Sequence, residues 1–347
     1  MRIMVLMGGT SSERDVSLAS GLRIAEALRA RGHSVRAIDT AKGELSRADE
    51  QRLLAEGVVK QQPPSPEELA RMNAESLADT AARLPKRGEC DVAFLALHGG
   101  RGEDGTIQAL LDLAGVPYTG SGHLPSALAM DKDLSKHLFR AHDVGTADWL
   151  MATDASTPPS AAAVERRLGW PVIVKPSKQG STVGLSIVKQ PAELAGAIAE
   201  AFEHDDEVMI EQFIAGRELT VGILGGEALP VGEIIPKHEI YDYECKYTAG
   251  MAEEIFPAPL TAEQTTEVQG QARRAFAALK LGGCARIDFR MTAAGEFYCL
   301  EANTLPGMTA TSLIPQAAAA AGIPFPELCE RIARLAADVS RTAGVAP

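Results

Sequence analysis

The sequence predicts an α/β protein with a doubly wound N-terminal domain, followed by two smaller α+β domains. A chain of 347 residues is too long for one small core, which indicates two or three domains. Over residues 1–121, apolar strand-like runs alternate with helical segments, the pattern of a parallel sheet covered by helices on both faces. After residue 121 this regular alternation of strands and helices ends. We assign 122–214 to a central α+β domain and 215–347 to a C-terminal one.

Three strands and two helices are predicted to alternate in the N-terminal domain. The strands span 3–7, 34–39 and 91–97, and the helices span 16–31 and 106–114. The third strand is a continuous apolar run, which is typical of a buried parallel strand. The charged segment 41–88 is predicted to form helices and loops inserted into this domain.

Hydrophobic periodicity and turn residues predict the elements of the other two domains. The central domain is predicted to contain helix 124–142, strands 171–176 and 183–188, helix 191–204 and strand 207–214. The C-terminal domain is predicted to contain strands 218–224 and 228–235, a polar loop at 236–254, helix 262–280, a hairpin, and helices near 312–321 and 326–342. The hairpin turn is placed at Thr292 to Glu296, around Gly295.

Composition and charge argue against several classes of function. The net charge of −12 argues against nucleic acid as a main partner. The apolar run from Met1 to Met7 is too short for a signal peptide, and no stretch approaches the length of a membrane span. The five cysteines are scattered, with no pair at metal-ligand spacing, which is typical of a reducing cytoplasm. We expect a cytoplasmic protein that binds neither nucleic acid nor membrane.

The C-terminal hairpin carries polar side chains at alternating positions. Alternate side chains of a strand share a face, so Arg286 and Asp288 point the same way. Glu301 and Asn303 share a face of the second strand in the same manner. The opposite faces are apolar, which argues against a solvated hairpin with incidental charges. Three oxygen ligands beside one guanidinium are what a Mg²⁺–polyphosphate site requires.

Two segments of the central domain have features of a nucleotide site. The glycine-rich loop 180–184 follows the strand that carries Lys175, and such loops let backbone N–H groups approach phosphates. An ordinary flexible hairpin explains this loop equally well. The segment from Glu211 to Ile214, with Glu218, could pair an adenine edge and accept ribose hydroxyls. Taken alone, that segment fits a solvated strand edge better.

Three further loops carry candidate binding residues. The turn at 8–14 lacks the glycine fingerprint of dinucleotide folds, and its hydroxyls and Glu13 either bind an ammonium group or cap a helix. His98 lies at the end of a strand, where α/β folds bind ligands, whereas Glu103 fits helix capping and function equally. The loop 236–254 concentrates tyrosines with a lysine, which predicts an active-site lid more strongly than a mobile surface loop.

Taken together, these segments resemble the D-alanine–D-alanine ligases of the ATP-grasp superfamily. The resemblance spans nearly the whole chain in the family's order, and such an ordered set of motifs is highly specific. It is carried by residues 8–14, 98–105, 130–132, 175–184, 211–218, 241–247, 286–288 and 300–309. It implies an ATP-grasp fold that joins two D-alanine molecules through a D-alanyl phosphate, for the synthesis of peptidoglycan precursors.

The resemblance also implies residues for the nucleotide and the metal. ATP phosphates would be bound by Lys132, Lys175 and Lys246. The adenosine would be bound by Glu211, Gln212, Phe213, Ile214 and Glu218. Two Mg²⁺ ions, or Mn²⁺ in their place, would be bound by Asp288, Glu301 and Asn303.

Substrate-binding residues and a dimer follow from the same resemblance. Glu13 would bind the ammonium group of the first D-alanine, with His98 nearby. The carboxylate of the second D-alanine would lie against Ser312 and Leu313. The family implies a homodimer.

The catalytic residues implied by the family come from all three domains. Arg286 and the backbone N–H of Gly307 would stabilise the oxyanion of the reacting carbonyl. Glu13, Ser181 and Tyr247 would form a hydrogen-bonded set that joins the N-terminal turn, the central loop and the lid.

The chain departs from the family's pattern at two positions, and two alternatives remain. Gln212 stands where the family usually has lysine, and Gln179 replaces a common glutamate. The nearly intact lid motif around Tyr247 favours D-alanine over D-lactate or D-serine as the second substrate. A nucleotide-binding regulator without turnover is the other alternative, and the filled metal, lysine and arginine positions argue against it. The missing glycine fingerprint argues against a dinucleotide-dependent oxidoreductase.

Overall fold

Three β-sheets form the framework of the computed structural model, which describes residues 1–56, 77–180, 182–241, 245 and 250–342. The first sheet contains β1 (Arg2–Met7), β2 (Ser34–Asp39), β3 (Gly43–Glu44) and β4 (Val92–Leu95), in the spatial order β3-β2-β1-β4. β1 pairs in parallel with both β2 and β4, as predicted for a doubly wound domain. β3 is a two-residue antiparallel strand that the sequence pattern did not indicate.

Helices cover both faces of the first sheet. They are α1 (Arg14–Ala30), α2 (Arg47–Glu56), α3 (Leu77–Arg83) and α4 (Thr106–Ala114). On one face, Leu22 and Leu28 of α1 pack in a core with Phe94. On the other, Ile107 and Leu111 of α4 pack in a separate core. Apolar side chains on both faces of β1 are the reason why this strand is buried almost completely.

The second sheet is antiparallel and has the order β5-β8-β6-β7. Its strands are β5 (Trp149–Ala152), β6 (Val172–Pro176), β7 (Ser186–Val188) and β8 (Val208–Gln212). The helices in this part of the chain are α5 (His123–Met130), α6 (Lys132–Ala141), α7 (Ala161–Arg167) and α8 (Leu194–Phe202). β5 and α7 were not predicted from the sequence.

The prediction of one helix over 124–142 is wrong, because the chain forms two helices that break at Asp131. Asp131 has an extended backbone conformation, and its carboxylate accepts the N–H of Leu134 at 3.0 Å. Aspartate is a strong N-cap residue, so it begins α6 instead of continuing α5. The break places Lys132 in the first turn of α6.

The third sheet is antiparallel, in the order β12-β11-β9-β13-β14, with β10 paired to β9. Its strands are β9 (Arg217–Leu224), β10 (Glu227–Ala228), β11 (Gly232–Pro236), β12 (Ala252–Ile255), β13 (Cys284–Met291) and β14 (Phe297–Asn303). The predicted strand 228–235 is wrong, because Pro230 has no N–H to donate and separates β10 from β11. β12 pairs with β11 and shortens the predicted loop 236–254.

Three helices complete the C-terminal part of the chain: α9 (Ala262–Ala278), α10 (Leu313–Ala320) and α11 (Phe325–Thr342). Leu328 and Ile332 of α11 belong to the same core as Leu22 of α1, so α11 covers the first sheet. Within the described residues, none of the helices combines the length and the apolar character needed to cross a membrane.

The apolar face of β13 supplies the core beneath the polar hairpin. Ile287 and Phe289 are fully buried with Leu219 and Val221 of β9. Their side chains alternate with the polar ones predicted to form the site, so burial of one face fixes the direction of the other.

We expect Phe289→Ala to lower the free energy of unfolding by about 3–5 kcal/mol, because it removes buried contacts and leaves a cavity. Urea titration followed by circular dichroism would measure the change. Leu113→Ala is the control, because Leu113 is 86% exposed, and it should change the free energy by less than about 0.5 kcal/mol. Equal effects of the two substitutions would contradict the assignment of this core.

Candidate active site

Two adjoining cavities lie where the three sheets meet. The first, of about 990 Å³ including its opening to solvent, is lined by residues of the second and third sheets, and we call it the large cavity. The second, of about 680 Å³ including its opening to solvent, is lined by residues of the N-terminal domain and by the chain after β14, and we call it the small cavity. Tyr241, Arg286 and Leu313 line both, so the two cavities share a wall.

The structure brings the predicted site residues together around these cavities. The large cavity is lined by Lys132, Lys175, Glu211, Gln212, Phe213, Ile214, Glu218, Asp288 and Glu301. The small cavity is lined by Glu13, His98, Asn303, Gly307 and Ser312. Arg286 and Leu313 line both. Ser181, Lys246 and Tyr247 lie outside the described residues.

β13 carries its polar side chains in the predicted alternation, whereas the pairing with β14 is irregular. The register shifts between Asp288 and Phe289, so Phe289 lies opposite Cys299 and Leu300 lines the large cavity. Arg286 lies opposite Asn303 in the strand register, and Asp288 lies opposite Glu301. The Arg286 guanidinium donates to the Asp288 carboxylate at 2.8 to 3.2 Å. That carboxylate also accepts the Asn303 amide at 3.0 Å and the Thr220 hydroxyl at 2.8 Å. Burial lowers the pKa of Arg286, but the Asp288 charge outweighs burial and raises it above the ordinary value.

The hairpin offers hard oxygen donors to a divalent cation. Asp288 and Glu301 supply carboxylates and Asn303 supplies an amide, the donor types that Mg²⁺ accepts together with phosphate oxygens. Among the described residues, no group of three His, Cys, Asp or Glu side chains is placed to bind a metal ion. Two carboxylates and one amide leave coordination positions open for phosphate oxygens, which suits a cation that binds together with a polyphosphate.

Glu211 lies at the centre of a buried charge cluster. Its carboxylate accepts the Lys175 ammonium at 2.7 Å and also pairs with that of Lys136. Lys136 is fully buried and donates to the Thr146 hydroxyl at 2.7 Å. Burial raises the pKa of Glu211, but the two ammonium charges outweigh burial and lower the pKa to about 2. Glu211 is thus ionised at neutral pH and orients Lys175 on the cavity wall.

Lys132 connects the hairpin with the glycine-rich loop. Its ammonium donates to the backbone oxygen of Gln179 at 2.6 Å and lies 3.5 Å from the Glu301 carboxylate. Burial lowers the pKa of Lys132. Lys132 and Lys175 both line the large cavity, and paired ammonium groups of this kind suit phosphate oxygens.

The glycine-rich loop has a strained backbone at Thr182. Its φ of 61° lies in the left-handed region, which a β-branched residue rarely adopts. Its hydroxyl is buried and has no hydrogen-bond partner among the described residues. The Leu185 N–H donates to the Thr182 carbonyl at 3.3 Å, so the loop continues and β7 begins at Ser186, later than predicted. A buried hydroxyl without a partner on the wall of the large cavity fits a ligand with phosphate oxygens.

Glu103 adds a second carboxyl group to the small cavity beside Glu13. It accepts the N–H of Gly99 at 2.7 Å. Burial and the neighbouring Glu13 charge raise the pKa of Glu103 to about 8. The sequence left capping and function open for Glu103, and the structure places it in the cavity. Glu103 is therefore largely protonated at neutral pH, and a cationic ligand in this cavity would favour its ionised form.

His98 is buried at the wall of the small cavity, and both of its ring nitrogens have partners. Nδ1 lies 2.9 Å from the carbonyl oxygen of Leu305, and Nε2 lies 3.2 Å from the hydroxyl of Ser20. Burial lowers the pKa of His98, so the ring is neutral at pH 7.

The roles of three residues at the site were not predicted from the sequence. Lys136 follows a predicted lysine by one helical turn, but nothing in the sequence indicated its burial. Thr220 lies opposite Asp288 in the register of β9 and β13, and no motif marks it. Tyr241 was predicted only as part of the lid, and its position on the wall of both cavities agrees with that prediction without having been specified by it.

Comparisons with known proteins agree with this architecture. The family model described as D-ala D-ala ligase N-terminus matches residues 2–121, and the one described as D-ala D-ala ligase C-terminus matches residues 138–334. A D-alanine–D-alanine ligase of Syntrophotalea carbinolica is 44% identical over 338 residues, with 95% of this chain and 94% of the relative covered. One of Geotalea uraniireducens is 45% identical over 336 residues, with 97% and 96% covered.

Two solved structures of a D-alanine–D-alanine ligase from Bacillus anthracis are similar to this one. The first has a TM-score of 0.76 at 32% identity and covers 99% of this chain and 100% of its own. The second, complexed with ATP, has a TM-score of 0.74 at 32% identity and covers 99% of both chains. These likenesses confirm the predicted ATP-grasp architecture. Because both family models match and the relatives cover almost the whole chain, the chain belongs to the D-alanine–D-alanine ligase family.

Proposed function

We propose that this chain joins two D-alanine molecules into D-alanyl-D-alanine, with conversion of ATP to ADP and phosphate, for peptidoglycan precursor synthesis. The position of Arg286 carries the proposal. Arg286 lines both the large cavity, where lysines and carboxylate oxygens suit a nucleotide with its metal ions, and the small cavity, where Glu13 suits the ammonium group of an amino acid. A reaction that transfers a phosphoryl group to an amino acid needs the two substrates to meet at such a wall.

The large cavity is proposed to bind ATP. Lys132 and Lys175 would bind the phosphates, together with Lys246 from the lid. Glu211 contributes through its ion pair with Lys175. The other residues proposed for the adenosine are Gln212, Phe213, Ile214 and Glu218, all on the cavity wall. The related Bacillus anthracis structure is complexed with ATP, which supports ATP as the nucleotide.

The hairpin oxygens are proposed to bind two Mg²⁺ ions. Asp288, Glu301 and Asn303 would hold them, and Mn²⁺ suits the same oxygen donors. A bound divalent cation neutralises charge on the phosphate oxygens. Lys132 lies 3.5 Å from Glu301, so it is placed to neutralise charge beside the same carboxylate.

Ligation proceeds in two steps. A carboxylate oxygen of the first D-alanine attacks the γ-phosphorus of ATP, and the bond to the ADP oxygen breaks, which gives D-alanyl phosphate and ADP. The amine of the second D-alanine then attacks the acyl carbonyl, loses a proton, and expels phosphate with its electron pair. Phosphorylation comes first because a carboxylate is a poor electrophile and phosphate is a good leaving group.

Arg286 and the Gly307 N–H are proposed to stabilise the oxyanion of the second step. A Cβ at position 307 would approach the Ser312 hydroxyl at 2.7 Å, so only glycine fits here without displacing Ser312. That hydroxyl accepts the Thr309 N–H at 2.9 Å. Ser312 and Leu313 stand at the start of α10, where backbone N–H groups suit the carboxylate of the second D-alanine.

Glu13 is proposed to bind the ammonium group of the first D-alanine in the small cavity. Glu103 supports this assignment, because it adds a second carboxyl group. Glu13, Ser181 and Tyr247 would join the N-terminal turn, the central loop and the lid. A closed lid protects D-alanyl phosphate, which hydrolyses readily in water.

From the family we also infer a homodimer that works in the cytoplasm. Light scattering during size-exclusion chromatography tests the assembly, with about twice the mass of one chain expected. A mass equal to one chain would contradict the dimer.

Incubation with ATP, Mg²⁺ and a panel of D- and L-amino and hydroxy acids tests the proposed function. We expect D-alanyl-D-alanine, identified by mass, and phosphate release that depends on D-alanine. A main product with D-lactate or D-serine in second place would instead support the alternative substrate. Absence of phosphate release by the pure protein would support the non-catalytic regulator.

Arg286→Ala and Glu301→Gln should separate chemistry from metal binding. Loss of the guanidinium removes charge stabilisation of the oxyanion, so we expect kcat to fall about 10²- to 10³-fold while ATP affinity changes less. Glu301→Gln should raise the Mg²⁺ concentration needed for half-maximal turnover, because an amide is a weaker cation ligand. Steady-state kinetics and ATP titration measure these effects. Equal loss of ATP binding in both variants would show that the division of roles is wrong.

Glu211→Gln should destabilise the protein at neutral pH by about 3–5 kcal/mol, because it leaves Lys136 and Lys175 buried without their counter-charge. The wild-type carboxyl has its pKa lowered to about 2, so its advantage is complete above the ordinary 4.5 and is lost as the pH falls towards 2. Urea unfolding of both proteins at a series of pH values measures the difference. A difference that stays constant down to low pH would contradict the role of this charge.

A further inference from the structure

Residues 305–308, which include Gly307, lie between β14 and α10, and we call them the 305–308 segment. This segment belongs to no helix or strand. Its backbone N–H and C=O groups therefore have no sheet partners, and buried groups of this kind require partners elsewhere.

Leu305, at the first end of the segment, is bonded by a side chain of the N-terminal domain. Its carbonyl oxygen lies 2.9 Å from Nδ1 of His98. Leu305 itself is buried, so water does not replace this partner readily.

Met308, at the other end, is bonded by two side chains of α1. Its N–H donates to the Ser20 hydroxyl at 3.1 Å, and its carbonyl accepts the Arg23 guanidinium at 3.3 Å. The Arg23 guanidinium lies over the ring of Phe325, 4.6 Å from its centre. Ser20 is fully buried, and Met308 is only 4% exposed.

One arrangement of hydrogens satisfies the bonds between His98 and Ser20. Nδ1 of the neutral ring must carry the proton that it donates to the Leu305 carbonyl, so Nε2 is an acceptor. The Ser20 hydroxyl then donates to Nε2, and its oxygen accepts the Met308 N–H. Ser20 and His98 thus connect the two ends of the 305–308 segment through the N-terminal domain.

We propose that Ser20 and His98 are positioning residues for ligation, which hold the 305–308 segment so that the Gly307 N–H faces the reacting carbonyl. The proposal rests on the proposed function. It gives His98 a role through the backbone of Leu305, since both ring nitrogens already have partners. A misplacement of about 1 Å at a reacting centre can cost about 10²-fold in rate. The N-terminal domain would therefore control the activity of an oxyanion donor, the Gly307 N–H, that belongs to the C-terminal domain.

Ser20→Ala is the most direct variant, because Ser20 lies on neither cavity wall. We expect kcat for D-alanyl-D-alanine to fall about 10-fold or more, with the KM for ATP within about twofold of wild type. Ser126→Ala, at another fully buried serine with a hydrogen bond, is the control and should retain kcat. A kcat within about twofold of wild type in Ser20→Ala would overturn the proposal.

Two variants of His98 test the same connection. Asparagine can still donate to the Leu305 carbonyl, so His98→Asn should retain more activity than His98→Leu. The kcat of the double variant Ser20→Ala with His98→Leu should be only slightly below that of the less active single variant, because both residues act through one segment. A loss of kcat in the double variant equal to the product of the two single losses would contradict the proposal. Equal activity of the asparagine and leucine variants would also contradict it.

Hydrogen exchange separates this proposal from the proposed function. In Ser20→Ala the Met308 amide loses its acceptor, so we expect it to exchange about 10-fold faster or more, while amides of β13 do not change. Unchanged exchange at 305–308 would overturn the positioning role even in an active enzyme. Absence of dipeptide from the wild-type protein, with faster exchange in the variant, would overturn the proposed function alone.

Discussion

The ion pair of Arg286 with Asp288 is the interaction on which the rest of the site depends. Both groups are largely buried on β13, the strand between β9 and β14, so neither charge is stable there without the other. Asn303 and Thr220 complete the hydrogen bonds of the carboxylate. Because the apolar face of β13 is fixed in the core, this pair is held at the wall that the two cavities share.

The same requirement for matched charge explains the lysines of the large cavity. Lys136 and Lys175 meet at Glu211, which carries one negative charge for two positive ones. The cluster therefore keeps an excess of positive charge in a buried place, whereas the ammonium of Lys132 is paired with the Glu301 carboxylate. A polyphosphate supplies the missing negative charge, so the unbalanced cluster favours the ligand that the proposed reaction needs.

Local sequence patterns predicted the strands of the hairpin. They did not predict contacts between residues that are far apart in the sequence. A period of two was enough to predict that Arg286 and Asp288 share a face of β13. The register shift between Asp288 and Phe289, which sets Asp288 opposite Glu301, was not predictable from that period. The helix break at Asp131 was missed because helical periodicity continues across it and outweighed the capping signal. Glu211 pairs with Lys136, which is 75 positions away in the sequence, and His98 forms a hydrogen bond with Leu305, which is 207 positions away. No spacing rule reaches that far, so the burial of Lys136 and the partners of His98 became visible in three dimensions alone.

The central claim is that the carboxylate of D-alanine and the γ-phosphate of ATP react directly at the wall shared by the two cavities. Ligation with D-alanine labelled by ¹⁸O at both carboxylate oxygens tests it. Attack by the carboxylate on phosphorus carries one labelled oxygen into the released phosphate, and mass spectrometry detects it. We predict one ¹⁸O in each phosphate released together with D-alanyl-D-alanine. Unlabelled phosphate alongside the dipeptide would contradict the account, because the γ-phosphoryl group would then have passed to water or to another acceptor.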